Sequence, residues 1–158
     1  MHATLKPHHF MDLIYKTAAL DGVFGNESPF GNDVHVFGNL LASGKIDSIT
    51  FTSGVDDICK PCNKLSDGIC TVIFSEEVAK RYGVERQYEY NLGLDTSFAI
   101  ALPEVFSFGT ERSIESIYDI LKEKLTDEII LLNWPIDNRV EMTYRGLDMV
   151  ISARKANK

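Results

Sequence analysis

Cysteine is scarce in this chain: three residues in 158, an odd number, all between Cys59 and Cys70. Such a count argues against a disulfide framework and for ligands or reactive thiols. No apolar run approaches the roughly 20 residues that a transmembrane helix needs. The opening "MHATLKPHHF" lacks the basic start, apolar stretch and cleavage site of a secretory signal, so the expectation is a cytoplasmic protein. Basic charge is also short, with a net charge of −7. That field repels phosphate backbones and excludes nucleic acid as the expected partner. There is no P-loop, no G-x-G-x-x-G and no G-x-S-x-G, which leaves nucleotide binding and serine-esterase chemistry without a motif. Repeats, low-complexity tracts and linkers are absent too.

What is present suits one domain spanning residues 1–158. The chain is 44% hydrophobic and 25% charged, and a domain of this length buries roughly 70% of its unfolded surface without staples. Pro7 fits a first helical turn, and Phe10, Leu13, Ile14, Thr17 and Leu20 follow helical spacing up to Gly22. "GVFGNESPFGND" is a loop. A second helix starts near Asn32 or Asp33, buries Val34, Phe37, Leu40 and Leu41, and stops at Gly44. "KIDSITFTS" reads as a strand entering the cysteine loop, and "TVIF" as a short buried strand leaving it. Ser75 caps a short helix through Tyr82, with Glu76 and Glu77 in its first turn. Boundaries between Val84 and Phe108 are not legible. Ile114, Ile117, Tyr118, Leu121 and Leu125 mark an amphipathic helix. "EIILLNW" reads as a buried strand ended by Pro135, with Trp134 filling the core. A strand over Val140–Tyr144 and a helix from Leu147 complete the pattern. Arg154, Lys155 and Lys158 read as a solvated basic end. The predicted fold is α+β: a small mixed sheet, several helices and a metal-binding cysteine loop.

That loop, "DDICKPCNKLSDGIC", has the spacing C-x2-C-x7-C through Cys59, Cys62 and Cys70. Two cysteines two residues apart in a turn aim both sulfurs at one point. Pro61 restricts that turn and Gly68 relaxes the path back to Cys70. Thiolates are soft ligands that favour zinc or an iron–sulfur cluster over magnesium or calcium. Free thiols and a Cys59–Cys62 redox pair are the competing readings. Asp56 and Asp57, just before the turn, suit capping of its backbone N–H groups.

A fourth ligand has one other source. In "LKPHHFMD" a helix begun at Pro7 puts His8 and His9 in its first turn and Asp12 one turn later, where Asp12 shares a face with either histidine. The positive end of the helix favours neutral imidazole and an anionic group nearby. The plain alternative makes the histidines structural and pairs Asp12 with Lys16. His2, at the terminus, and His35, on the second helix, are left aside.

Together the two stretches resemble a family of small bacterial and archaeal proteins, domain of unknown function 1284. Its members open with a pattern like L-R-P-H-H-x-x-C and later carry D-D-I-C-x-x-C-P with a further cysteine. The resemblance covers these stretches well and the rest of the chain loosely. It implies an iron–sulfur cluster. Asp12 stands where the family's N-terminal cysteine falls, and Asn63 replaces the proline after the second loop cysteine.

The expectation is therefore a four-iron cluster on Cys59, Cys62 and Cys70. Its fourth iron is completed by Asp12 or His9, or is left open to a small-molecule substrate. An open iron acts as a Lewis acid, as in cluster-dependent lyases and desulfidases, with His8, His9 and Asp12 placed for acid–base help. Electron transfer to a redox partner is a second reading. A structural zinc site of three cysteines with a histidine or aspartate is a third.

Overall fold

Backbone order decides what can reach the cysteines. In the computed structural model, which describes residues 1–26 and 28–157, strand β1 (His2–Leu5) turns directly into helix α1 (Pro7–Ala19). Glu27 of the long loop and Lys158 of the basic end lie outside the described residues. Pro7 opens α1 as its sequence position suggests, and Phe10, Leu13, Ile14 and Thr17 form the buried stripe. Helix α2 (Val34–Ala42) buries Phe37 and Leu41. Strand β2 (Ser48–Phe51) then pairs in parallel with β1, setting Ala3 against Ile49 and Leu5 against Phe51. This pairing brings the chain that leaves β2 to the same end of the sheet from which α1 starts.

From there the chain makes an excursion through a hairpin, β3 (Leu65–Ser66) and β4 (Ile69–Cys70), and helix α3 (Glu76–Tyr82). Ser75 caps α3 by accepting a hydrogen bond from Val78 N. Helix α4 (Gln87–Ala101) returns the chain to the core and is followed by α5 (Pro103–Phe106). Strand β5 (Glu111–Ser113) adds antiparallel to β2. Helix α6 (Ile114–Lys124) buries the predicted Ile114, Ile117, Tyr118 and Leu121. The short α7 (Asp127–Ile130) and the long α8 (Arg139–Ala156) finish the chain. The architecture is α+β, a three-stranded mixed sheet with a separate hairpin and flanking helices.

The core is aromatic at its centre. Phe51 lies 5.4 Å from Phe10 and 5.0 Å from Phe106, and Phe98 lies 5.3 Å from Phe106. Tilted and edge-on ring pairs of this kind add about 0.5–1.5 kcal/mol each beyond their buried area. Helix α8 crosses α1 closely at Gly146, where a Cβ would stand 1.8 Å from the Ile14 carbonyl oxygen. Among the described residues no helix is long and apolar enough to cross a membrane.

Several local expectations need correction. "EIILLNW" is not a strand: its first residues belong to α7, capped by Thr126, and Leu131 and Leu132 are exposed. Val140–Tyr144 is helical and lies inside α8, which starts eight residues before the predicted Leu147. "TVIF" contributes one isolated bridge, Ile73 to Arg86, and Ile73 is exposed. His2 is not frayed but pairs within β1, its Nδ1 2.8 Å from Ser48 Oγ. Arg154 is no solvated tail residue. It bonds Glu115, Asp47 and the Gly44 carbonyl, tying α8 to α6 and to the turn after α2.

Candidate metal centre

The cysteine loop is stitched to β1 before it reaches its first thiol. Asp57 N donates to Thr4 O at 2.9 Å, and Thr4 N donates to Asp57 Oδ2 at 2.8 Å. The turn itself closes with Cys62 N donating to Cys59 O at 2.9 Å. Cys70 is returned by the hairpin, opposite Leu65. Its two-residue turn, Asp67-Gly68, has φ of 51° and 76°, the left-handed pair that matches the twist of flanking strands. As a result Cys59, Cys62 and Cys70 line one cavity of about 100 Å³ together with His9, Lys6 and Asn91. The two motifs therefore meet in space: the thiols of a single loop face the first turn of α1.

Asp56 organises that meeting. Its side chain is fully buried. Oδ2 accepts from Lys6 N at 2.8 Å and lies 2.7 Å from His9 Nδ1, while Oδ1 accepts from Cys59 N at 2.9 Å. Burial alone would raise this carboxyl, but His9 and the two backbone N–H groups hold it well below the usual carboxylate range. Burial, with His8 adding to it, lowers His9 against the opposing pull of Asp56. Burial, reinforced by the Asp56 charge, pushes the Cys59 thiol up to about 12.

His8 repeats the pattern one residue earlier. Asp95 from α4 accepts both His8 N and His8 Nδ1 on Oδ1, at 2.9 and 2.8 Å. A carboxylate only accepts, so both histidines carry their proton on Nδ1 and keep Nε2 as the open nitrogen. A carboxylate behind a histidine in this way fixes the ring and raises its basicity toward a metal. His9, Asp56 and Cys59 each offer an atom to a common point, all within 4.8 Å of one another. Asp56 already holds three donors, which makes it the residue that orients His9 and Cys59.

Asp12 is placed elsewhere. It points into a second cavity of about 250 Å³, where Oδ1 accepts from Asn133 Nδ2 at 2.8 Å and from Arg139 Nη1 at 3.0 Å. Its ion pair is with Arg139, not Lys16. The residues around the cysteine cavity include His9 but not Asp12. The two cavities adjoin, sharing His9, Ile58, Gln87 and Asn91 as a wall. Trp134 lines the larger one instead of closing a strand.

Asp95, Asn91, Asn133 and Arg139 carry no motif and were not among the expected site residues. Asn91 and Asp95 are four apart on the stripe of α4 that also buries Leu94 and Phe98. Two polar residues on an apolar stripe are the one sequence signal that points to them. Comparison with family models, curated proteins and solved structures finds no match to this chain.

Proposed function

We propose that this protein binds an iron–sulfur cluster, of the four-iron type, on Cys59, Cys62 and Cys70, with His9 as the neighbouring non-cysteine ligand. One observation carries the reading: three thiols and an imidazole line the same small cavity. The donor set fits, since thiolates are the usual cluster ligands and histidine stands in for them in Rieske centres. Bound there with one iron lacking a thiolate, the cluster supplies a Lewis acid for a small-molecule substrate.

The chain's own residues do the rest. Asp56 fixes the His9 ring and the Cys59 backbone together, so a change at either is felt by the other. The shared wall of His9, Gln87 and Asn91 lets a molecule in the larger cavity approach the thiol-lined one. Asp95 holds His8 in the lining of the larger cavity.

Zinc is the second reading, supported by the close grouping of His9, Asp56 and Cys59. A tetrahedral zinc with Zn–S bonds of about 2.3 Å needs its ligand atoms about 4 Å apart. The group with that spacing contains one thiol and a carboxylate already engaged by three donors. The other two cysteines have no part in it, which favours a larger group.

Anaerobic purification or reconstitution, followed by iron, zinc and acid-labile sulfide analysis, tests this. Iron with matching sulfide is expected, falling sharply in Cys59→Ser, Cys62→Ser and Cys70→Ser. Stoichiometric zinc without sulfide overturns the cluster. A reversible redox step with rapid transfer to a ferredoxin or flavodoxin moves the reading from Lewis-acid chemistry to electron transfer.

A further inference from the structure

We infer that the larger cavity is a binding site for a small carboxylate with a flat unsaturated or aromatic body, gripped by Arg139. The inference rests on the proposed cluster only for where the ligand's far end is presented; binding of the anion does not depend on it.

Arg139 begins α8 and is 7% exposed. The guanidinium carbon lies over the Tyr15 ring, 4.7 Å from its centre. Its single ion pair runs from Nη1 to one oxygen of Asp12, an oxygen shared with Asn133. Its Nε is buried with no partner. A guanidinium is built to meet carboxylates through paired parallel bonds, and a buried donor left unsatisfied is costly. Arg139 lines a cavity, and Asp12 engages it through Nη1 alone.

Charge in the cavity agrees. Lys16 and Arg139 face it with Asp12 as the one lining carboxylate, in a protein whose net charge is −7. Asp56 and Asp95 stand behind the histidines at the start of α1, where backbone N–H groups and the positive end of the helix offset them. An anion is thus the charge that the cavity takes.

The remaining wall selects shape. Phe74, Tyr90 and Trp134 line one side, Tyr90 and Trp134 meeting at 79° with ring centres 6.3 Å apart. Tyr82 backs Trp134 at 4.8 Å. Such a surface takes a planar apolar body by stacking or edge contact. The volume of about 250 Å³ admits a small acid.

Sodium benzoate is the probe, with benzamide as its neutral counterpart, titrated calorimetrically into the metal-loaded protein. Benzoate should bind about tenfold or more tighter than benzamide. Arg139→Gln should cost about tenfold to a hundredfold in benzoate affinity, the worth of a charge-assisted hydrogen bond, with no effect on benzamide. Because Arg139 is buried and its variant is at risk of misfolding, Lys16→Gln serves as the second variant. It should weaken benzoate severalfold at unchanged melting temperature. Equal binding of benzoate and benzamide, or benzoate affinity unchanged in Lys16→Gln and in folded Arg139→Gln, overturns the inference. Iron and sulfide measured on the same samples separate the two readings. Loss of cluster in Cys70→Ser with benzoate binding intact supports both. Benzoate binding without any cluster leaves this inference standing alone, and a cluster without benzoate binding removes it.

Discussion

Asp56 shows how much one buried carboxylate can decide. It joins the N-terminus of α1, the His9 ring and the first turn of the cysteine loop through three hydrogen bonds. Asp56→Asn keeps the shape but removes the charge and one acceptor. Carboxylates that orient a ligating histidine are worth about 10–100-fold in metal affinity, and that is the drop expected in a chelator competition. Stability should fall by about 2–3 kcal/mol in urea denaturation, the cost of leaving buried donors short of an acceptor. Asp12→Ala should cost stability without touching the metal content. Iron and sulfide content should stay at the wild-type level, because Asp12 is engaged with Asn133 and Arg139. Stability should drop by about 1–3 kcal/mol, since Arg139 remains buried without its partner. An iron loss in Asp12→Ala matching that of a cysteine variant would return Asp12 to the ligand set. At this scale the sequence was informative about donors and silent about partners. The thiols, His8 and His9 are visible as motifs, and the capping role of Asp56 follows from its place before the turn. Asp95 and Arg139 lie 87 and 127 positions from the residues they hold, and nothing local announces such pairs.

Two kinds of element were read correctly: α3, marked by its Ser75 cap, and helices whose buried stripe is largely apolar. Helices α1 and α6 are of this kind, and both were bounded to within a residue or two. Helix α8 failed for the opposite reason. Its buried residues are Arg139, Thr143, Gly146, Leu147 and Val150, spaced as a helix requires but polar or small in three of five places. A hydrophobic pattern cannot see that stripe. "EIILLNW" misled by its continuous apolar run, which does not distinguish a strand from a short helix. The Asp67-Gly68 turn was the reverse error: a strong hairpin signal, valued only for flexibility. Gly146 carries the sharpest prediction at this scale. Alanine there puts a methyl group 1.8 Å from the Ile14 carbonyl oxygen, so α1 and α8 must separate. Urea denaturation of Gly146→Ala should show a loss of about 3 kcal/mol, the upper end of the usual overpacking range, since the clash is with backbone. A loss under about 1 kcal/mol would mean that the two helices slide freely past one another. A large loss should also weaken metal binding at the proposed centre, because α1 carries His9.

Over the whole molecule, burial is unevenly shared. The described stretch from Cys59 to Tyr90 contains no buried residue, whereas α1, β2 and α6 supply much of the core. Backbone hydrogen bonds such as Phe74 N to Glu85 O and Gln87 N to Val72 O hold the excursion's shape, and its apolar footing is the partly buried group of Phe74, Tyr82 and Tyr90 against Trp134. Segments with few buried contacts open at low free-energy cost. Composition could not disclose this, since 44% hydrophobic residues are ample for a core and only the fold shows where they are withheld. The proposed centre would add a second anchor: loading it would fasten the hairpin to α1 through Cys70 and His9. Hydrogen exchange then separates a fastened loop from an idle one. With metal and sulfide at about 100 times the dissociation constant, amides from Cys59 to Tyr90 should exchange about a hundredfold more slowly, the factor set by mass action on the folded form. Amides in α1 and α8, already held by the Ile14–Gly146 crossing, should slow much less. Equal exchange of the excursion before and after loading would mean that the cysteines bind nothing that joins it to the first helix, and the proposed centre would fail on structural grounds before any activity was measured.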